Sequence, residues 1–326
     1  MTNKIVFHVG YAKSASTTMQ TFLFNNHSQV NYLGIYPISE NTNVGVDSYD
    51  YDSSQNYIHS TLLQKFQHDL VVLDDLKFDR IKEYYRANLP SLFSHEKVNV
   101  FSNERMTSTF FAFPSLFSKI ERLVSTISKD IKVVFILRNQ YSLIESQFRD
   151  QPYDPRSLEI GKPVSFNKWV KTCLDINDVY FLNSLDYQKV IHYYEDIIGK
   201  SNVGVFLFEE LIHNPESFAS GLAKFIDIDQ RECMSLLKNS HTNKSVSAGF
   251  SRLRKIKRKV FGDTNLDRIT NSRFGMLLKT SFKKGSKVKL VWEPNLQERV
   301  GDIYKAGNRF LSEDRKLNLE QYNYPL

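Results

Sequence analysis

The sequence predicts an α/β fold: a helix-covered central parallel sheet with additional helices toward the C-terminus. Three observations carry that reading. Short apolar runs recur as Ile5-Val6-Phe7, Val98-Asn99-Val100-Phe101-Ser102, Lys132-Val133-Val134-Phe135-Ile136-Leu137 and Val203-Gly204-Val205-Phe206-Leu207-Phe208. Near-continuous apolar strands are the ones covered on both faces of a parallel sheet. Longer stretches with apolar residues at helical spacing separate these runs, the alternation that builds such a sheet. Finally, the first run passes straight into a turn of small and hydroxyl-bearing residues, Gly10-Tyr11-Ala12-Lys13-Ser14-Ala15-Ser16-Thr17-Thr18.

In chain order, strands are predicted over 4–9, 98–102, 132–137 and 203–208. Helices are predicted over 17–25, where Met19, Phe22 and Leu23 fall at helical spacing, and then over 57–67, 76–87, 115–127 and 141–149. Others follow near 165–174, 186–198, 215–226, 229–238, 246–260 and 295–311. Pro215 suits a first helical turn, where its missing N–H has no intrahelical acceptor to lose. The Asn-, Ser-, Asp- and Tyr-rich segment 39–57 reads as a long polar loop, and loops of that length are commonly functional. It opens a substrate-side insertion, 39–97, that also carries helices. A chain of 326 residues buries enough surface for one elaborated domain, 1–326.

Ligands of a parallel sheet sit beyond the carboxyl ends of its strands, and Gly10, Lys13, Glu104 and Arg138 all fall at that edge. A strand, a small-residue turn with a lysine, and a hydroxyl-rich helix start together form an anion cradle. The first turn of a helix has unpaired N–H groups and a partial positive charge, and small residues let backbone amides approach an oxyanion. Lys13 adds a full charge, and Ser14, Ser16, Thr17 and Thr18 add hydroxyl donors. The ligand this implies is a phosphate or sulfate. The spacing is not that of a nucleoside-triphosphate loop, Gly-x-x-x-x-Gly-Lys-[Ser/Thr]. Lys13 comes early, and Ala15 takes the place of the second glycine.

Lys13-Ser14-Ala15-Ser16-Thr17 after a first strand resembles the 5′-phosphosulfate loop of the sulfotransferase family, Lys-[Ser/Thr]-Gly-[Ser/Thr]-Thr. Arg138-Asn139 at the end of the 132–137 strand, with Ser146 eight residues after the arginine, resembles the family's second motif. Gln140 stands there in place of the usual proline, and Leu143 in place of a frequent second arginine. The run Phe208-Glu209-Glu210-Leu211 followed by Asn214-Pro215-Glu216 resembles a further family element. Ala306-Gly307-Asn308-Arg309-Phe310-Leu311 and Leu319-Glu320-Gln321-Tyr322-Asn323-Tyr324-Pro325 resemble the tail of bacterial carbohydrate sulfotransferases. The resemblance covers most of the chain and is weakest over 35–95 and 245–290.

The resemblance implies a P-loop NTPase-like version of the α/β fold, with 3′-phosphoadenosine 5′-phosphosulfate (PAPS) as sulfuryl donor, PAP as product and no metal. It implies that Lys13, Ser14, Ala15, Ser16, Thr17 and Thr18 hold the 5′-phosphosulfate, and that Arg138 and Ser146 hold the 3′-phosphate. A guanidinium fork suits phosphate geometry. Lys244, in Asn243-Lys244-Ser245, resembles the start of the element that closes over the donor and would be a further phosphate ligand. The tail points to a saccharide or glycolipid acceptor in capsule, lipopolysaccharide or exopolysaccharide assembly.

Sulfuryl transfer accounts for these residue types. Negative charge grows on the leaving phosphate, so Lys13 and the loop amides stabilise it more in the transition state than before it. An acceptor hydroxyl needs a base, and Glu104, just beyond the 98–102 strand, is the candidate; pairing with Arg105 or helix capping is the competing role. His59 and His68 fall on a predicted helix, where solvated histidines are common, and His8 reads as a core histidine with a hydrogen-bond partner. Two other functions remain open: a P-loop kinase or phosphotransferase using ATP and magnesium, and a non-catalytic binding protein on a sulfotransferase fold.

The net charge is +7, and residues 251–290 alone hold thirteen Lys and Arg against Asp263 and Asp267. Within 246–290, a basic helical segment has Leu253, Ile256 and Val260 as an apolar stripe. It reads as a solvated face, as a closure over donor or acidic acceptor, or as a peripheral contact with an anionic membrane. No nucleic-acid module accompanies it, so no nucleic-acid partner is expected. No stretch approaches the roughly 20 apolar residues that span a bilayer, and Met1-Thr2-Asn3-Lys4 leads directly into the first strand, so no targeting segment is expected. Cys173 and Cys233 lie in no metal-ligand spacing. A cytoplasmic location, or one on the cytoplasmic face of a membrane, is the expectation.

Overall fold

In the computed structural model, the residues described are 4–34, 58–107, 116–150, 152–155, 163–176, 181–238 and 289–326. The expected loop 39–57, the helix 246–260, Lys244 and nearly all of the basic segment lie outside them.

Five strands form one parallel sheet: β1 (Ile5–Gly10), β2 (Val30–Tyr32), β3 (Val98–Ser102), β4 (Lys132–Leu137) and β5 (Val203–Leu207), in the order β2-β3-β1-β4-β5. Four match the predicted runs within a residue or so. The addition is β2, three residues on the edge of the sheet, too short for an apolar period to reveal. From β1 the chain moves outward to β2 and back to β3, then crosses β1 to reach β4. The connections leaving β1 and β4 therefore diverge, and a crevice opens between these strand ends.

Helices cover both faces. After β1, the helix predicted over 17–25 is present as α1 (Ser16–Thr18), which widens into a π-helical segment, Met19–Phe24; Asn25 N–H reaches back five residues to the Gln20 carbonyl at 3.2 Å. The chain then forms α2 (Ile58–Val72), α3 (Asp75–Asn88), α4 (Leu116–Thr126), α5 (Gln140–Asp150), α6 (Phe166–Asp175), α7 (Phe181–Ser184) and α8 (Tyr187–Ile198). It ends in α9 (Phe208–His213), α10 (Pro215–Ile226), α11 (Gln230–Lys238) and α12 (Pro294–Arg315). Alternation along the strands divides the core. Phe7, Val9, Phe101, Val133 and Phe135 pack on one face with Phe66 of α2, Tyr85 of α3 and Tyr194 of α8. Val6, Val100, Val134 and Ile136 pack on the other with Met19, Leu23, Leu222 and Cys233. Pro215 opens α10 as expected, with the Asn214 side chain accepting from Ser217 N–H at 3.3 Å. Gly204 allows α10 to lie close on β5: a Cβ there would meet the Phe225 ring at 2.6 Å.

His8 is fully buried in β1, as a core histidine should be, with Nδ1 2.7 Å from Ser102 Oγ. Ser102 Oγ accepts from Gln20 Nε2 at 2.9 Å, so its own proton is best directed to His8 Nδ1. Burial pulls the His8 pKa down to about 4, below the value near 6.5 of an unfolded chain. Between those values only the unfolded chain takes the proton, so this contribution is complete above about pH 6.5 and is lost as pH falls toward 4. The loss expected is about 3 kcal/mol. Denaturant melts at about pH 7 and pH 4.5 should show that acid-dependent loss shrinking in His8→Gln; an unchanged loss would rule out this role for His8.

Candidate functional site

The loop after β1 folds back on itself. Tyr11 N–H donates to the Ile136 carbonyl at 3.0 Å, joining the loop to β4, while Ser14 N–H and Ser16 Oγ both donate to the Tyr11 carbonyl at 3.1 Å. Lys13 and Ala15 each have φ of 66°, and left-handed turns of this kind direct nearby backbone amides into one concavity. Ala15 is the helix N-cap in that conformation, which is the reason a glycine belongs at this position in the resembling motif. The methyl group carries a penalty of about 1 kcal/mol. Ser14 is wholly buried, and its hydroxyl has no partner among the described residues. Ser16 has its proton engaged by the loop, Thr17 is exposed and Thr18 is buried.

Arg138 leaves the end of β4 and meets this loop. Its Nη1 donates to the Lys13 carbonyl at 2.7 Å and its Nε to Ser142 Oγ at 2.9 Å. The guanidinium carbon lies 4.6 Å from the centroid of the Phe208 ring, which fixes the plane of the fork. Nη2 makes no hydrogen bond among the described residues. Tyr187, packed on Tyr11 with centroids 4.8 Å apart, donates to the Arg138 carbonyl at 2.6 Å. Ser142, Ser146 and Asp150 follow at four-residue spacing along α5 and so share a face. Ser146 is half-buried. Asp150 Oδ2 lies 2.9 Å from Lys13 Nζ, both side chains about one-third exposed.

Glu104 stands on a 3-10 turn, Glu104–Met106, directly after β3. Gly10 lets this turn approach the loop: its φ is 110°, and a Cβ there would lie 3.0 Å from Thr107 Oγ1 and 3.3 Å from Glu104 Cα. Asn103 caps the turn, accepting from Arg105 N–H at 3.1 Å, and Lys119 Nζ, buried on α4, donates to the Arg105 carbonyl at 2.8 Å. Burial pushes the Lys119 pKa down to about 7. The Glu104 carboxylate itself caps nothing and makes no ion pair among the described residues. His59 and His68 both lie on α2, the latter with Nδ1 3.1 Å from Asp69 Oδ1.

The strand ends thus bring together Lys13 to Thr18, Arg138, Ser142 and Ser146, with Glu104 beside Gly10. Sequence reasoning missed Asp150, Ser142 and Lys119. The spacing Ser142-Ser146-Asp150 was a legible signal; nothing local marked Lys119. Among the described residues no three His, Cys, Asp or Glu side chains gather as a metal site, and no described helix is long and apolar enough to cross a membrane.

The sequence matches no protein-family model and no curated protein. Solved structures do match. A sulfotransferase from Alicyclobacillus acidocaldarius is 13% identical, with 99% of each chain covered and a TM-score of 0.52. The sulfotransferase domain of the Synechococcus PCC 7002 olefin synthase is 13% identical, over 92% of this chain and 94% of that one, with a TM-score of 0.42. The sulfotransferase domain from the curacin biosynthetic pathway is 14% identical, over 93% and 97%, with a TM-score of 0.44. The likeness to the Alicyclobacillus protein extends over both chains from end to end, and the chain has the sulfotransferase fold.

Proposed function

We propose that this protein is a PAPS-dependent sulfotransferase that transfers a sulfuryl group to a saccharide hydroxyl, built as a single domain with 39–97 on the acceptor side. The observation that carries the reading is the Arg138–Lys13 junction: two anion-binding segments, far apart in sequence, meet by a direct hydrogen bond at the sheet's switch point. The residues fit the donor. The left-handed loop and the partnerless buried Ser14 hydroxyl suit an oxyanion, and the two N–H groups of Arg138 Nη2 suit a phosphate. Bound there, PAPS would supply the sulfuryl group and retain its 3′,5′-ADP half as leaving group.

The chain's own residues would act as follows. Lys13 and the loop amides concentrate positive charge where the leaving phosphate develops its own. Arg138 and Ser146 fix the 3′-phosphate end, which sets the direction of in-line displacement. Glu104 accepts the acceptor's proton. Lys244 and the 246–290 segment would close over the site, with a peripheral membrane contact as a further use of that charge. The saccharide acceptor, whether free polymer or glycolipid, rests on the resemblance of the tail.

Calorimetry with 3′,5′-ADP and with ATP plus magnesium, each with and without EDTA, tests the donor class. Metal-independent binding of 3′,5′-ADP is expected; binding of ATP with magnesium alone would favour phosphoryl transfer instead. Glu104→Gln should lower kcat by about 10²–10⁴-fold and leave 3′,5′-ADP affinity unchanged. An unchanged kcat would move the base elsewhere.

A further inference from the structure

The C-terminal tail and α9 converge on the residue after Arg138. Asn139 N–H donates to Glu209 Oε1 at 2.9 Å, and the Asn139 side chain donates to the Tyr322 and Asn323 carbonyls at 3.1 and 2.6 Å. Its Oδ1 accepts from Ser142 N–H at 3.2 Å, so the same side chain caps α5 and grips the tail. Tyr324, buried, donates its hydroxyl proton to Glu209 Oε2 at 2.9 Å. Gln140, which replaces the usual proline, is wholly buried and exchanges two hydrogen bonds with Asn308 of α12, at 2.9 and 3.2 Å. Asn308 in turn donates to the Pro325 carbonyl at 2.9 Å. The tail is therefore locked to the Arg138-Asn139-Gln140 turn from three sides.

The arrangement has an electrostatic consequence. Glu209 follows Phe208, the ring beneath the Arg138 guanidinium, and its charge acts on that guanidinium. Among the described residues, however, no ion pair closes between them: one carboxylate oxygen is engaged by the Asn139 amide and the other by Tyr324. A carboxylate free to turn would satisfy the guanidinium directly and compete with any anion for Nη2.

We infer that Tyr324 is a positioning residue for Arg138: the tail hydroxyl restrains the Glu209 carboxylate, so that the arginine remains available to a 3′-phosphate. This rests on the donor reading proposed above. It makes the C-terminal tail part of the donor site without touching the donor.

The test compares 3′,5′-ADP with 5′-AMP, which lacks the 3′-phosphate, on the full chain by calorimetry. Tyr324→Phe should weaken 3′,5′-ADP by at least about tenfold, the scale of one charge-assisted contact, and leave 5′-AMP unchanged. Adding Glu209→Gln in that background should restore the lost affinity, because the competing charge is gone; a loosened tail alone would not be rescued. Glu209→Gln by itself keeps an acceptor for Asn139 N–H, and should bind 3′,5′-ADP at least as tightly as the unsubstituted protein even if Tyr324→Phe folds poorly. Equal losses for both nucleotides, no loss, no rescue, or weaker binding in Glu209→Gln would each overturn the inference. If the unsubstituted protein fails to bind 3′,5′-ADP, the donor reading falls, and this inference with it.

Discussion

Lys13→Ala is expected to lower kcat for sulfuryl transfer from PAPS by about 10²–10³-fold, the usual effect of removing a preorganised charge at the atom where negative charge develops. It should weaken donor binding as well, for a reason peculiar to this site. Lys13 Nζ is paired with Asp150 at 2.9 Å, so deleting the lysine leaves an unpaired carboxylate beside the place a phosphosulfate would occupy. The double variant Lys13→Ala/Asp150→Asn separates the two effects. Donor affinity should recover in part, since the repulsion is gone but the Lys13 contact is still missing, whereas kcat should stay low, since the transition-state charge is still unmet. The fold should survive, because a pair this exposed contributes less than about 1 kcal/mol. A kcat near that of the unsubstituted protein would remove Lys13 from the mechanism.

Arg138→Ala is expected to weaken 3′,5′-ADP by about 10²-fold or more. The side chain offers Nη2 to the ligand while Nη1 and Nε anchor it to the Lys13 carbonyl and Ser142, and each hydrogen bond to a charged group contributes about 1.5–3 kcal/mol. Affinity for 5′-AMP should change much less. Arg138→Lys should recover only part of the loss: an ammonium restores the charge but not the planar fork that bridges Ser142, Lys13 and a phosphate together. Equal losses for the two nucleotides would mean that Arg138 supports the loop without reading the 3′-phosphate. Loss of binding only to ATP with magnesium would place the protein among the phosphotransferases.

Much of the fold was legible because parallel strands buried on both faces leave a continuous apolar trace. The runs at Ile5, Val98, Lys132 and Val203 became β1, β3, β4 and β5. The edge strand Val30–Tyr32 left no such trace, being three residues long with a polar centre. The helix expected after the loop is present; its π segment, from which Gln20 donates to Ser102 of β3 at 2.9 Å, is a variation that apolar spacing does not register. Among residues of the candidate site, Lys13 and Arg138 were legible as candidates because anion binding requires particular residue types at a strand end. Asp150, Glu209 and Tyr324 were not, since a carboxylate or a phenol on a helix or tail looks the same whether it faces water or a buried amide.

The amino-acid sequence by itself predicted the layered α/β architecture and an anion cradle in the first loop, for which periodicity and local residue chemistry are sufficient. The arginine strand end was joined to that loop by resemblance to a family motif. Only the tertiary structure decided that Arg138 bonds the Lys13 carbonyl, that Asp150 pairs with Lys13, and that the tail hydroxyl of Tyr324 donates to Glu209. Each of these joins side chains or carbonyls from elements separate in sequence. Their energies depend on distance and burial, which exist only once β1, β4 and β5 lie side by side.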